Sequence, residues 1–531
     1  MIVYPPFFGA KNNGINGMIW DAEIEIAQTG VSMYARLSIA ILASAAYAAG
    51  ACENLSTLKL EKATITSAQT VEAGAFTLPS GRASRGANAF QNLPAFCRVQ
   101  LTLTPTSDSH IEMELWMPSE NWNGKFLAVG NGGWAGKIET DAMATGLAKG
   151  YATASNDTGH KGGSASFAVD HPEKLIDFGY RSMHEMTIKS KAIIQAFYSR
   201  EAQLSYYQGC STGGRQGLME AQRYPADFDA IIAGAPVNNV VHLNIQSVAR
   251  QVDMLREPVR ILPPNKVTLL AAAVVAACDA KDGVKDGIIS DPQMCRFDPR
   301  DLQCKAGDRP DCLTAAQVET AKRAWEPVKT KAGEMVYPGS SPGFESGYGM
   351  PTPGSPTNPL FTDTPRFVGH ENANWDVMSF DLEADLALAM KNAAFIESTD
   401  PDLAKFKARG GKLLLYHGWA DPGPAPQNTI NYFSAIGAKL GGDQDDWMRL
   451  FLMSGMGHCG GGVGPDRADF LAAMENWREK GQAPAHIVAK RTANQQGRAE
   501  MTRPLCPYPQ LAKYVGVGST DDATNFVCAV R

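Results

Sequence analysis

Apolar positions along the chain repeat in two periods, and the change from one to the other is sharpest near residue 209. A β-type apolar run, Leu204 to Gln208, breaks at Gly209. A helical pattern then follows through Arg215, Gln216, Leu218, Met219 and Gln222, and a second apolar run, Asp229 to Gly234, predicts the next parallel strand. The same alternation flanks this stretch. Upstream, short β-type runs begin at Ala63, Cys97 and Ile111 and predict hairpins that lead into a main sheet. Gly124 to Val129 reads as an apolar strand that enters a loop with glycines at 130, 132 and 133, and Tyr151 to Gly162 as a further strand and loop. Phe178 to Arg200 carries the period of a long amphipathic helix. Downstream, Lys412 to Tyr416 and Trp447 to Met453 predict two strands, one ending in a loop with His417 and Asp421, the other in a loop with His458.

Between these parts the pattern changes. Roughly residues 237–400 lose the strand–helix alternation and hold four cysteines, many prolines and glycines, and helical patches such as Pro264 to Cys278. The expected organisation is therefore an upstream extension and leader over 1–51, a catalytic α/β core over 52–236 and 401–531, and an inserted lid over 237–400. An insertion after such a turn usually covers the site.

The leader is read from Met33. One positive residue, Arg36, precedes an apolar stretch from Leu37 to Ala46 and small residues before Cys52, the layout of an export signal whose true start would be Met33. The apolar stretch is shorter than the ~20 residues that span a bilayer, which argues against a stable membrane anchor. Cys52 would alternatively be a lipoprotein acceptor, although Ala49-Gly50-Ala51 lacks the usual leucine. The expected location is secreted or periplasmic. With 531 residues, 44% hydrophobic and a net charge of -6, the chain is globular and mildly acidic, and no basic patch argues for nucleic acid.

Candidate chemistry enters at the turn itself. Gly209-Cys210-Ser211-Thr212-Gly213 fits G-x-S-x-G between a strand and a helix, a nucleophile elbow. A second match, Gly339 to Gly343 around Ser341, follows no strand that the pattern predicts, and Pro342 prevents a helix from starting there as an elbow requires. Residues just past the carboxyl ends of parallel strands meet in one crevice. Ser211, Asp421 and His458 occupy such places in the chain order Ser, Asp, His of an α/β-hydrolase. Ser211 would be the nucleophile, His458 its base and Asp421 the group that orients the imidazole. The amide of Thr212 and one from Gly132 or Gly133 would hold the oxyanion; the alternative for the glycines is a plain glycine-rich turn. His417 precedes Asp421 and reads as a structural or supporting residue.

Ten cysteines, with no C-x-x-C pair, imply disulfides rather than zinc or a redox couple. Spacing suggests the local pairs 278–295, 304–312 and 506–528. Cys210 precedes Ser211 and Cys459 follows His458, so if serine and histidine meet, a bond between these cysteines becomes possible. The alternative is two buried cysteines side by side by accident. In the stretch Cys278 to Ile288, three carboxylates (Asp279, Asp282, Asp286) interleave with glycines, and the carbonyls of Val284 and Ile288 could complete an oxygen shell for calcium. A solvated acidic turn is the competing explanation.

The elbow Gly209 to Gly217, Tyr416 to Pro422, Gly455 to Cys459, the acidic loop and the closing stretch Arg503 to Cys528 together resemble the tannase and feruloyl esterase family, which includes mono(2-hydroxyethyl) terephthalate hydrolase. The resemblance spans nearly everything from Cys52 onward. It implies the triad Ser211, Asp421 and His458, the Cys210–Cys459 bond, structural calcium at Asp279, Asp282, Val284, Asp286 and Ile288, and a Cys52–Cys97 bond besides the three local ones. It also implies a small aromatic ester as substrate, in some members carried on plant cell-wall sugar. Thr212 after the serine is similar to the hydroxycinnamoyl and tannin esterases and favours them over a terephthalate specialist. Arg366, Phe367 and Trp375 lie in a lid stretch where a cation and aromatics could hold an aromatic acid; a surface role is the alternative. The main expectation is an exported serine carboxylesterase for feruloyl or similar esters. The alternatives are a tannase, a terephthalate half-ester hydrolase, or a non-catalytic calcium-stabilised binding protein.

Overall fold

The computed structural model describes residues 51–78, 90–134, 136–343, 345, 358–493 and 499–530. The leader expected before Cys52 lies outside them apart from Ala51. Strands follow in the order β1 (Ala63–Val71), β2 (Phe96–Leu103), β3 (Ile111–Pro118), β4 (Lys125–Val129), β5 (Ala152–Asn156), β6 (Leu204–Cys210) and β7 (Ala230–Gly234). The inserted segment contributes β8 (Val328–Lys329) and β9 (Met335–Tyr337). Then come β10 (Lys412–Gly418), β11 (Met448–Met453), β12 (Ile487–Arg491), β13 (Met501–Leu505), β14 (Leu511–Tyr514) and β15 (Phe526–Ala529).

Nine of these strands form one mixed sheet in the order β1-β2-β3-β5-β4-β6-β7-β10-β11. The first three pair antiparallel, as the hairpin pattern predicts, and β5 joins β3 antiparallel; from β5 to β11 every pairing is parallel. The parallel strands read as continuous apolar runs because helices cover both faces: all five residues of β7 are buried. The pleat then divides the side chains between two cores. Ile231, Ala233, Leu413 and Leu415 pack on one face, while Ala230, Ile232, Leu414 and Tyr416 pack on the other.

The inserted segment is largely helical, with helices Val240–Arg256, Pro264–Cys278, Ala315–Trp325 and Leu382–Ala393. The third starts at a capping box, Thr314 with Gln317. The segment has its own apolar cluster, from Val240 and Val241 to Ala393 and Ile396, which also takes in Trp134 and Phe178 of the flanking chain. The structure differs from the sequence pattern in two respects. The strand expected to stop at Tyr416 runs on to Gly418, so His417 is a strand residue pairing in register with Leu452. The C-terminal pairs β12-β13 and β14-β15 are small sheets of their own, which sequence periodicity left unassigned.

Candidate active site

The elbow is built by close backbone approach. A Cβ on Gly209 would lie 2.6 Å from the carbonyl carbon of Gly213, so a side chain there would push the helix off the strand. Ser211 sits between them at φ 63°, the left-handed strained region that non-glycine residues seldom adopt. Its amide donates to Gly234 O (2.9 Å), and its carbonyl accepts from Arg215 N (3.1 Å) and Val237 N (3.3 Å). The helix Thr212–Arg223 follows at once.

His458 lies five residues beyond β11 and Asp421 three beyond β10. His458 Nε2 is 2.8 Å from Ser211 Oγ, and its Nδ1 is 2.7 Å from Asp421 Oδ2. The three residues that the sequence separates by up to 247 positions therefore form one hydrogen-bonded chain. Asp421 is buried, whereas His458 keeps 34% of its side chain exposed. Burial alone would raise the Asp421 carboxyl, but hydrogen bonds from His417 and His458 outweigh it and hold the group below the usual carboxylate range.

Beside this chain, Cys210 and Cys459 are joined with their Cα atoms 6.0 Å apart. The other four bonds are Cys52–Cys97, Cys278–Cys295, Cys304–Cys312 and Cys506–Cys528. All five pairings match the expectations. The Cys52 sulfur is committed to Cys97, which overturns the lipoprotein alternative at that residue.

The loop after β4 faces the elbow. Thr212 Oγ1 donates to Gly133 O (3.0 Å), and a Cβ on Gly132 would meet open space. Gly133, at φ 57°, lies under Leu360 of the inserted segment, whose Cδ1 would be 3.2 Å from a Cβ there. Two buried amides that the sequence did not single out fix this loop. Gln216 Oε1 accepts from Asn131 N (3.0 Å), and Gln216 Nε2 donates to Asn131 Oδ1 (3.1 Å). Asn131 Nδ2 in turn donates to the carbonyls of Lys137 and Asn156. A polar residue in a loop and another in a helix carry no sequence signal of this pairing, which the approach of the two elements creates. Arg215, also buried, donates to the carbonyls of Phe178, Gly179 and Ile396, tying the elbow helix to the end of the inserted segment; burial pushes its pKa down to about 10.

Arg366 and Phe367 lie in the π-helical turn Thr364–Gly369, the guanidinium 5.8 Å from the neighbouring ring. Trp375 is buried in the inserted segment against His370 and Phe380. Among the described residues, no hydrogen bond, ion pair or ring contact links any of the three to Ser211 or His458.

In the acidic loop, Asp279 accepts from the amides of Asp286 and Gly287, Asp282 from Val284 and Ser290, and Asp286 from Ile288. Arg503 pairs with Asp286 at 2.7 Å. Among the described residues, no three His, Cys, Asp or Glu side chains gather as a ligand set. The donor chemistry nevertheless fits a hard cation: Asp279, Asp282 and Asp286 are all oxygen donors, of which Asp286 pairs with Arg503, and burial, reinforced by the charge of Asp286, raises the Asp282 carboxyl.

A sheet of this order, with a serine elbow after β6 and histidine and aspartate beyond β11 and β10, is an α/β-hydrolase core. Residues 97–529 match the family model described as tannase and feruloyl esterase, and the chain belongs to that family. It is 37% identical to an uncharacterized esterase of Xanthomonas campestris pv. campestris, covering 92% of this chain and 93% of the relative. It is 35% identical to a probable feruloyl esterase B-2 of Aspergillus terreus, over 86% and 90% of the two chains. The crystal structure of feruloyl esterase B from Aspergillus oryzae superposes with a TM-score of 0.82 at 31% identity, covering 90% of this chain and 99% of that one. The protein is a carboxylic ester hydrolase.

Proposed function

We propose that the protein is an exported serine carboxylesterase acting on esters of aromatic carboxylic acids, with feruloyl and similar hydroxycinnamoyl esters as the preferred class. The observation that carries the mechanism is the unbroken Ser211–His458–Asp421 chain at the strand ends. His458 Nε2 takes the Ser211 proton as Oγ attacks the ester carbonyl, and the amides of Thr212 and Gly132 or Gly133 receive the developing oxyanion. The imidazolium, stabilised by ionised Asp421, then protonates the departing alcohol. Water repeats the sequence on the acyl-enzyme and releases the aromatic acid. Similarity to feruloyl esterases supports the acyl class. Residues 237–400 would be the lid over that acyl group, with Arg366, Phe367 and Trp375 as candidate contacts. Five disulfides, with no free cysteine among the described residues, support an oxidising destination.

Initial rates on methyl ferulate, methyl gallate and mono(2-hydroxyethyl) terephthalate, with Ser211→Ala as the blank, test this directly. Methyl ferulate is expected to turn over fastest. A clear preference for gallate or the terephthalate half-ester would reassign the substrate, and no serine-dependent turnover on any would point to an unrelated ester or to a binding protein.

Calcium, held by Asp279, Asp282, Asp286 and the carbonyls of Val284 and Ile288, would neutralise the loop and brace it; it lies outside the reacting set. Chelation is therefore expected to lower the melting temperature, with recovery on adding calcium back and no separate effect on the folded enzyme's rate. An unchanged melting curve, with no metal found in the purified protein, would remove the ion from the account.

A further inference from the structure

His417 is fully buried on β10, and all of its polar contacts lie beside the reacting groups. Its Nε2 faces two acceptors, Asp421 Oδ2 at 3.1 Å and Pro424 O at 3.0 Å, so that nitrogen carries the hydrogen. Its Nδ1 lies 2.8 Å from the hydroxyl of Thr429, buried on the helix Pro426–Leu440, which then donates to it. One neutral tautomer satisfies every partner. Asp421 Oδ2 thus stands between two imidazoles, while Oδ1 takes the amide of Gly423 at 2.9 Å.

We propose that His417 is a positioning residue for the reaction: its Nε2–H fixes the orientation of the Asp421 carboxylate and shares the charge that would otherwise bear on His458 alone. This rests on Ser211, His458 and Asp421 being the reacting set. The ionisable groups facing Asp421 among the described residues are His417, His458 and the Tyr337 phenol from β9, which burial and the Asp421 charge push up. Hydrogen bonds, with no Lys or Arg among these groups, balance the carboxylate. Losing the His417 donor would leave more negative charge on the oxygen that faces His458. That favours the imidazolium, so the acid limb of the rate profile would move to higher pH. A carboxylate held by the Gly423 amide and His458 without the His417 donor would also position His458 less well in the transition state, which lowers kcat rather than substrate affinity.

The test compares His417→Phe, which keeps volume and loses both nitrogens, with His417→Gln, whose amide can reach the Nε2 position. Turnover is measured on p-nitrophenyl acetate and methyl ferulate across pH. His417→Phe is expected to lower kcat by about tenfold or more with KM within about twofold. Its acid limb should move up by about half a pH unit, and His417→Gln should restore most of both. Near-wild-type kcat with an unmoved limb in the folded Phe variant overturns the proposal, as does an equal loss in both variants with the limb unmoved. Should His417→Phe fail to fold, His417→Asn replaces it, because its shorter amide reaches only the Nδ1 position; identical profiles for Asn and Gln would again overturn the role. Wild-type protein without Ser211-dependent turnover on either ester would take down the reacting set itself, a failure visible before any His417 variant is compared.

Discussion

Ser211→Ala is expected to abolish ester turnover, lowering kcat by about 10⁴-fold or more while the protein stays folded. The size follows from what the hydroxyl does. It is the atom within reach of His458 Nε2 at the strand end, and without it no acyl-enzyme forms, whatever the binding pocket retains. The fold should survive because the backbone bonds of residue 211 to Gly234, Arg215 and Val237 do not involve the side chain. Alanine and serine also bear similar strain at φ 63°. The check is kcat on methyl ferulate together with the melting temperature. A variant that melts normally and turns over at the wild-type rate would move the nucleophile elsewhere.

The second large effect concerns the Cys210–Cys459 bond. Replacing both cysteines by alanine is expected to lower both the melting temperature and kcat. The bond joins residues 249 apart in sequence, and closing a loop of that length removes on the order of 5 kcal/mol of chain entropy from the unfolded state in the loop-closure picture. The catalytic effect has a separate cause. Cys210 is bonded in sequence to Ser211 and Cys459 to His458, so the cross-link limits how far the two side chains can separate. The His458 loop is otherwise rich in glycine, with Gly455, Gly460, Gly461 and Gly462 all at positive φ. Thermal unfolding and kcat measured on the same preparation check both halves. A lower melting temperature with an unchanged rate would leave the bond a stabiliser only and sink its role in holding nucleophile to base.

The chemistry-bearing positions were legible because each follows an apolar run. In a parallel sheet every such run ends on the same edge, so Ser211, Asp421 and His458 were placed together by topology before any side chain was seen. Cysteine adjacency to two of them extended the same logic to the 210–459 bond. The buried support was not legible. Asn131 and Gln216 are polar residues in a loop and a helix, and only the approach of that loop to that helix gives each amide its partner. His417 looked like a loop residue because the apolar run ends at Tyr416, yet pairing with β11 carries the strand two residues further and turns the imidazole inward.

The inserted segment marks the boundary. Its helical patches and local cysteine pairs follow from spacing, since both depend on neighbours in sequence. Which of its side chains meet an aromatic acyl group depends on how its helices cross the core, and periodicity does not encode a crossing. The sequence by itself determined the alternation that makes the α/β core, the order of the reacting residues and the family resemblance, because these reside in local pattern and chain order. Only the tertiary structure decided that His458 reaches Ser211 at 2.8 Å and that Asp421 is shared by two imidazoles. Distances between groups hundreds of residues apart are set by packing, which brings most buried donors and acceptors to their partners together.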